Sequence, residues 1–255
     1  MITAGIDVGI ENIKAVILQN GKVVARAEGL SGGANRARNA EKVYSDALAA
    51  VGLKSSDVSK VFATGQGKSD VAFASDRITE PIADARAARF LFPQATSVVD
   101  IGADQVRLLV LGTGNAITEV VMNQKCAAGL GIFLKSMART LGLTLEDMGR
   151  LTGDTEAIVN EGCGVFAEMD ALGLLNRDVP REDIARAVMA AVAVRVNSIL
   201  NDKVKPDAKT TVLVGGLGRN KALVEALKKR AGIDFLIPEH AEYAGALGCA
   251  IIAAG

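Results

Sequence analysis

A strand-rich unit occurs twice in this chain of 255 residues. Each copy begins with an apolar run that ends in Asp-x-Gly, and each places a basic residue at the same distance after the aspartate. The copies are residues 5–28, with Asp7-Val8-Gly9 and Lys14, and residues 98–121, with Asp100-Ile101-Gly102 and Arg107. A second β-rich run, a Gly/Asn turn and a third apolar run follow in both copies. This duplication predicts an α/β protein with two similar lobes.

The remaining segments predict how the lobes are completed. Helical patterns flank a strand between the two copies, at about 35–51 and 82–92 around 58–64. After the second copy the chain is mostly helical, at 127–141, 164–175 and 181–201. The last predicted elements are a strand at 210–214, a helix at about 221–230, a strand at 235–237 and a helix from 243. We expect lobes at 1–95 and 96–242 around a cleft, and the final helix, about 243–255, could belong to the first lobe.

Composition excludes several classes of protein. Lys plus Arg and Asp plus Glu are equal at 29 each, and no basic block is present, which argues against binding to nucleic acid or a membrane surface. The start of the chain has no export signal, so we expect a cytoplasmic protein. Its three cysteines, Cys126, Cys163 and Cys249, have no CxxC spacing and predict reduced thiols. The single histidine, His240, excludes a metal site built from several histidines.

The Asp-x-Gly turns are candidate phosphate sites. Glycine lets a phosphate approach the backbone, and an adjacent aspartate suits the Mg²⁺ that accompanies a nucleotide. We therefore expect Gly9 and Gly102 to lie against phosphates, with Asp7 and Asp100 near the metal. Gly215-Gly216, at a strand-to-helix junction, would approach the adenosine and the α-phosphate, and residues 63–67 form a further glycine loop. Paired turns with a late Gly-Gly resemble the duplicated ATPases that include sugar kinases, acetate kinase and actin.

Two cysteine motifs narrow this resemblance. The segment from Met122 to Leu134, MNQKCAAGLGIFL, and the segment from Cys163 to Glu168, CGVFAE, resemble the signatures of the BadF/BadG/BcrA/BcrD-type ATPase family. Members of that family activate 2-hydroxyacyl-CoA dehydratases or drive benzoyl-CoA reductases. The resemblance runs in the expected order along nearly the whole chain. It implies the duplicated actin-like, sugar-kinase-like (ribonuclease H-like) fold around a nucleotide cleft.

The resemblance also implies the cofactors. Cys126 and Cys163 would ligate one 4Fe–4S cluster shared across a dimer interface, because such a cluster needs four thiolates and each chain offers two. Each of these cysteines precedes a predicted helix, whose N-terminus stabilises an anionic cluster. ATP or ADP would bind with Mg²⁺, with Asp7, Asp100 and Asp104 as catalytic residues. The implied nucleotide-binding residues are Gly9, Lys14, Gly102, Gln105, Gly215, Gly216 and Asn220.

The implied function is ATP-driven electron transfer. Reduced ferredoxin or flavodoxin would supply electrons, a second ATPase subunit would share the cluster, and an acyl-CoA reductase or dehydratase would accept the electrons. The first phosphate turn continues as Ile10-Glu11 and the second as Ala103-Asp104-Gln105, where dehydratase activators have hydroxyl residues and Gly-Gln-Asp. This departure favours the smaller ATPase subunit of a benzoyl-CoA reductase, with a dehydratase activator as the alternative.

Two other classes remain open from the sequence. A small-molecule kinase of the same superfamily would need a carboxylate base near the γ-phosphate, for which Asp84 or Asp104 could serve. A scaffold that does not hydrolyse ATP is suggested by Ile10, Glu11 and Ala103. A brown, oxygen-sensitive protein would indicate the electron activator. A colourless protein with sugar-dependent ATP consumption would indicate the kinase, and a colourless, inert one the scaffold.

Overall fold

The computed structural model describes residues 1–122, 129–200, 203–204 and 210–255. The chain forms two compact units. The first comprises Met1–Ala95, Leu111–Thr118 and Pro238–Gly255, and the second comprises Thr96–Val110 and Glu119–Ile237. Among the described residues, no helix is long and apolar enough to cross a membrane.

Each unit opens with three consecutive strands, and several helices follow one another in the second unit. The strands are β1 (Ile2–Val8), β2 (Asn12–Gln19), β3 (Lys22–Leu30), β4 (Lys60–Thr64), β5 (Asp76–Arg77), β6 (Ser97–Ile101), β7 (Val106–Leu111), β8 (Ile117–Met122) and β9 (Thr211–Val214). The helices are α1 (Arg36–Ala49), α2 (Glu80–Leu91), α3 (Leu130–Thr140), α4 (Leu145–Arg150), α5 (Gly164–Leu175), α6 (Arg181–Leu200), α7 (Lys221–Ala231) and α8 (Ala244–Ala254).

The first unit is built on a five-stranded sheet in the order β3-β2-β1-β4-β5. β1 pairs antiparallel with β2 and parallel with β4. Asn20 and Gly21 both have positive φ, 51° and 76°, which is the geometry that a tight Asn-Gly hairpin requires. Alternate residues of β1 and β2 are buried against α1, as the period-two pattern predicts.

Helix α8 covers β1 of the first unit at very close range. A Cβ atom at Gly5 would lie 1.9 Å from the carbonyl oxygen of Ala246, so only glycine permits this approach. The hydroxyl of Thr3 donates to the carbonyl oxygen of Ala250 at 2.8 Å. The final helix therefore packs on the same sheet as the first strand, although the two are at opposite ends of the chain.

The second unit repeats the strand topology of the first. Its sheet has the order β8-β7-β6-β9, with β6 antiparallel to β7 and parallel to β9. The core lies between this sheet and helices α3 to α7, and its largest fully buried side chains include Leu108, Leu134, Met137, Met148 and Ile184. Helix α6 is buried on most of its circumference, which explains its weak amphipathic pattern.

Some predicted elements differ from the structure. The strand predicted at 235–237 is wrong, because this segment makes only one isolated bridge, between Leu236 and Val212. Helix α4 was not predicted, although Thr144 and Asp147 form a capping box at its start. Helix α2 begins at Glu80, two residues before the predicted 82, with Pro81 in its first turn. The predicted helix start at 127 lies outside the described residues.

Candidate functional site

The two Asp-x-Gly turns are built in the same way. After β1, the Gly9 N–H donates to the carbonyl oxygen of Asn12 at 3.0 Å, and after β6, the Gly102 N–H donates to the carbonyl oxygen of Gln105 at 2.9 Å. Both glycine amides are therefore donors inside their own hairpins. A phosphate at either turn would therefore be bound by other amides of the turn. The sequence had led us to expect the two glycines themselves to lie against the phosphates.

The basic residue after each aspartate lies opposite it on the neighbouring strand. Asp7 pairs in register with Lys14, and Asp100 pairs with Arg107. In the second unit this register produces an ion pair, in which Arg107 Nε donates to Asp100 Oδ2 at 3.1 Å and Nη2 contacts the same oxygen. Asp100 is 6% exposed and Arg107 is 7% exposed. Asp100 is therefore a buried, charge-compensated carboxylate whose orientation is fixed by Arg107.

A glycine with positive φ lies beside each of these aspartates. Gly65 follows β4 with φ of 87°, and a Cβ there would be 2.6 Å from Asp7 Oδ1. Gly215 follows β9 with φ of 91°, and a Cβ there would be 2.4 Å from Asp100 Oδ1. The parallel pairing of β1 with β4, and of β6 with β9, produces this equivalence. Gly65, which the sequence marked only as a further glycine loop, is thus the counterpart of Gly215.

We expect Gly215→Ala to destabilise the protein by at least about 2 kcal/mol. The backbone conformation at Gly215 is strained for any residue with a side chain, and the new methyl group would meet the Ile101 carbonyl oxygen at 2.5 Å. Urea unfolding measures the loss of stability, and titration with Mg·ATP measures the accompanying loss of nucleotide affinity.

Gly216→Ala is the matched control for this experiment. A Cβ at Gly216 has no atom of the described structure within 4 Å, and its φ is not positive. The free energy of unfolding should change by less than about 1 kcal/mol, because the position is open and lies in a short 3₁₀ turn. Equal destabilisation by the two substitutions would contradict the predicted role of Gly215.

Helix α3 begins directly on the second phosphate turn. A Cβ at Gly129 would lie 2.0 Å from Asp104 Cα, and one at Gly131 would lie 2.7 Å from Ala103 Cα. The Ile132 N–H donates to the carbonyl oxygen of Ala103 at 3.0 Å. The Gly-x-Gly of the first cysteine motif therefore has a physical reason, because only glycine allows the helix start to touch the turn.

Asn220 caps helix α7. Its side-chain Oδ1 accepts a hydrogen bond from the Leu223 N–H at 2.9 Å, and the residue is 8% exposed. A Cβ at Gly149, in α4, would lie 3.1 Å from Asn220 Nδ2. Asn220, which was predicted to bind nucleotide, therefore has a structural role where α4 and α7 meet.

Cys163 is the N-cap residue of α5 and is partly exposed. The side chain of Asn160 shapes this turn, because its Oδ1 accepts hydrogen bonds from the N–H groups of Gly162 at 2.9 Å and Cys163 at 2.8 Å. Cys163 therefore lies at the N-terminal end of a helix of 12 residues. Cys126, the other predicted cluster ligand, lies outside the described residues.

Most of the large apolar residues of helix α5 are exposed, although Leu174 is buried. It buries small residues such as Ala167 and Ala171, while an outward stripe next to Cys163 is strongly exposed. The stripe residues are Val165 (66% exposed), Phe166 (57%), Met169 (61%) and Leu172 (47%), and Ile158 nearby is 80% exposed. Exposed apolar surface of this kind is typical of a protein–protein contact.

Cys249 differs from Cys163 in its burial and in its position within a helix. It lies in α8 with 0% exposure. Burial raises the pKa of its thiol, and the charges of Asp7 and Asp84 raise it further. A buried neutral thiol is a core residue, which agrees with the prediction that Cys249 is not a ligand.

The predicted site residues fall into two groups. The first unit brings Asp7, Gly9 and Lys14 together on the β1–β2 hairpin. In the second unit, the described residues that were predicted to bind nucleotide or to be catalytic lie around the ends of β6 and β9, and these are Asp100, Gly102, Asp104, Gln105, Gly215, Gly216 and Asn220. In the described part of the chain, no three His, Cys, Asp or Glu residues form a metal-binding group.

The duplicated sheets and the turns at their ends define an α/β protein of the actin-like, sugar-kinase-like fold. A family model described as the BadF/BadG/BcrA/BcrD ATPase family matches residues 4–253. The chain belongs to this family.

Relatives from both branches of the family cover nearly the whole chain. It is 34% identical to the activator of lactoyl-CoA dehydratase from Anaerotignum propionicum, over 99% of this chain and 97% of that protein. It is 31% identical to a benzoyl-CoA reductase subunit from Thauera aromatica, over 98% and 92%. The solved activator of the 2-hydroxyisocaproyl-CoA dehydratase from Clostridium difficile, with bound ADPNP, is 30% identical, with a TM-score of 0.89 over 99% of this chain and 94% of that one.

Proposed function

We propose that this protein is an ATP-driven electron activator for an enzyme that acts on acyl-CoA thioesters. One electron from reduced ferredoxin or flavodoxin would pass through the protein to that enzyme, while ATP and water become ADP and phosphate. The observation that supports this most directly is Cys163, a partly exposed thiol at a helix N-terminus beside an exposed apolar stripe. Membership of a family of ATPases with activators among its members supports the same assignment.

The turns of both units fit a nucleotide with Mg²⁺. Gly216 leaves open space beside the backbone at the strand-to-helix junction, where a phosphate or ribose could approach. In the first unit, Asp7 supplies a carboxylate at the end of β1. In the second unit, Asp104 supplies one on the Asp-x-Gly turn, and Asp100, oriented by Arg107, supplies another. Mg²⁺ binds such groups directly or through water. A relative that is similar in structure contains ADPNP, an ATP analogue.

The cysteines fit a cluster shared by two chains. The sequence has three cysteines, and Cys249 is fully buried, which leaves Cys126 and Cys163 as possible ligands. A 4Fe–4S cluster, which stores and passes one electron when bound, takes four thiolates and so requires two such pairs. The apolar stripe on α5 gives the second chain, or the electron-accepting partner, a surface to cover.

The nucleotide turn and the first cysteine motif are physically connected. Helix α3 begins on Ala103 and Asp104 through Gly129 and Gly131, so a rearrangement of this turn must also move the helix. Cys126 precedes α3 in the sequence. We propose that the nucleotide state acts on the cluster ligands through this contact.

The acyl-CoA partner is a reductase or a dehydratase. The altered phosphate turn favours the benzoyl-CoA reductase type, as the ATPase subunit that pairs with a different ATPase subunit. The relatives support a dehydratase activator at least as well, because the identity to the lactoyl-CoA dehydratase activator is 34% and that to the benzoyl-CoA reductase subunit is 31%. Because of the altered turn, benzoyl-CoA reductase is the first candidate, and a 2-hydroxyacyl-CoA dehydratase is the alternative.

Anaerobic purification tests this function. We expect a brown protein with about two iron atoms per chain, the value for one 4Fe–4S cluster shared by two chains. Adding Mg·ATP to the reduced protein should accelerate electron transfer to benzoyl-CoA reductase or 2-hydroxyacyl-CoA dehydratase catalytic subunits, and the hydrolysis-resistant analogue ADPNP should not sustain turnover. A protein that stays colourless and free of iron after reconstitution, both alone and together with a second ATPase subunit, would refute the proposal, and so would ATP consumption that depends on a sugar.

A further inference from the structure

Arg195 is a buried cation in the middle of α6 that the proposed function does not use. It is 6% exposed, and its guanidinium carbon lies 4.8 Å from the centre of the Phe133 ring. Phe133 lies in the first turn of α3 and is 4% exposed. The arginine thus stacks on a residue of the first cysteine motif, at the start of α3.

The same guanidinium contacts the segment that leads to Cys163. Its Nη2 donates to the carbonyl oxygen of Asn160 at 3.2 Å, and its Nε donates to the carbonyl oxygen of Glu161. The side chain of Asn160 in turn accepts hydrogen bonds from the Gly162 and Cys163 amides. One planar group therefore fixes the carbonyls just before Cys163 while it stacks on α3.

Helices α3 and α5 are also connected by a contact that does not involve Arg195. Glu168, in α5, accepts a hydrogen bond from the hydroxyl of Thr140 at 2.9 Å and lies 3.5 Å from the hydroxyl of Ser136, both in α3. Helices α3 and α5 therefore remain attached when Arg195 is changed. What Arg195 alone does is to fix the position of the backbone just before Cys163 relative to α3.

We propose that Arg195 is a positioning residue for the Cys163 thiolate. This rests on the proposed function, because it takes Cys163 as a cluster ligand. The geometry gives the residue two effects. Its two hydrogen bonds hold the Cys163 turn in the shape that presents the thiolate, and its permanent positive charge stabilises the more negative, reduced state of a nearby anionic group. Losing the hydrogen bonds should loosen iron, and losing the charge should lower the reduction potential.

Two substitutions at Arg195 separate these effects. Arg195→Lys keeps the charge but cannot reproduce the paired hydrogen bonds, whereas Arg195→Gln removes both. The matched control is Arg186→Gln, because Arg186 lies on the same helix and donates to the carbonyl oxygen of Thr152 at 3.0 Å, at the other end of the segment before Cys163. The measurements on anaerobically purified protein are iron per chain, the rate of bleaching by an iron chelator, the reduction potential, and the melting temperature of the iron-free protein.

We expect at least tenfold faster bleaching in both Arg195 variants than in Arg186→Gln. The potential should fall only in Arg195→Gln, by a shift that approaches a tenfold change in the one-electron equilibrium, about 59 mV. If Arg195→Gln does not fold, the bleaching rate of Arg195→Lys decides the question. Bleaching and potential that match Arg186→Gln would overturn the inference while the brown wild-type protein upholds the proposed function. An iron-free wild-type protein would instead refute the proposed function itself.

Discussion

Cys163→Ser is expected to abolish the visible iron–sulfur absorption of the anaerobically purified protein, and with it ATP-driven electron transfer. Serine keeps the N-cap position of α5 but removes the thiolate, so the helix persists while the proposed cluster loses one of its four ligands. Cys126→Ser should have the same effect. The two chains should also separate more readily, because a shared cluster contributes to the association as a structural metal does.

Cys249→Ala is the control for this prediction. Cys249 is fully buried in α8, so its substitution leaves a small cavity and should cost about 1–2 kcal/mol of stability without loss of iron. Iron content, visible absorption and size in solution distinguish the variants. Full iron content in both serine variants, or one complete cluster in an isolated monomer, would show that Cys126 and Cys163 do not ligate a shared cluster.

Asp100→Ala is expected to destabilise the second unit by about 3–5 kcal/mol. The substitution removes the carboxylate that faces the guanidinium of Arg107, which is 7% exposed, and an uncompensated buried charge is costly. Asp234→Ala provides a comparison, because the Lys228–Asp234 ion pair is exposed and should contribute less than about 1 kcal/mol. Urea unfolding measures both changes.

A double substitution separates stability from nucleotide binding at Asp100. Asp100→Leu with Arg107→Met replaces the buried ion pair by apolar groups and should recover much of the lost stability. Affinity for Mg·ATP should not recover, because the carboxylate near the phosphate turn is still missing. Calorimetric titration should also show that Asp100→Asn weakens Mg·ATP binding more than Glu11→Gln. Unchanged affinity and turnover in Asp100→Asn would exclude Asp100 from the nucleotide site.

The sequence predicted the strand framework well because the duplicated unit is a local, periodic signal. Both hairpins and the parallel returns of β4 and β9 were placed within a few residues. The segment at 235–237 was wrongly predicted as a strand because it lies beside β9 through a single bridge and not through a ladder, with Phe235 buried in the core. Helix α4 is only six residues long, so its capping box was a weaker signal than a full helical period.

The candidate site was predictable where the residues that form it are close in sequence. The Asp-x-Gly turns and the basic residue opposite each aspartate lie on one hairpin, so their spacing revealed them. Contacts between residues that are far apart in the sequence have no characteristic spacing and could not be predicted. The sequence could not show that Gly215 packs on Asp100, or that Arg195 reaches the turn before Cys163, because these depend on how sheet and helices pack. Asn220 was marked for nucleotide binding, but its capping of α7 emerged only from the structure.

The outward stripe of α5 has a consequence for anyone who engineers this protein. A design procedure that scored the single chain would replace Val165, Phe166 and Met169 by charged residues to improve its solubility. Those substitutions would leave the helix intact, because its buried face is made of small residues such as Ala167 and Ala171. They would also remove the apolar surface next to Cys163. If the proposed partner binds there, the more soluble chain would be the one that does not bind it.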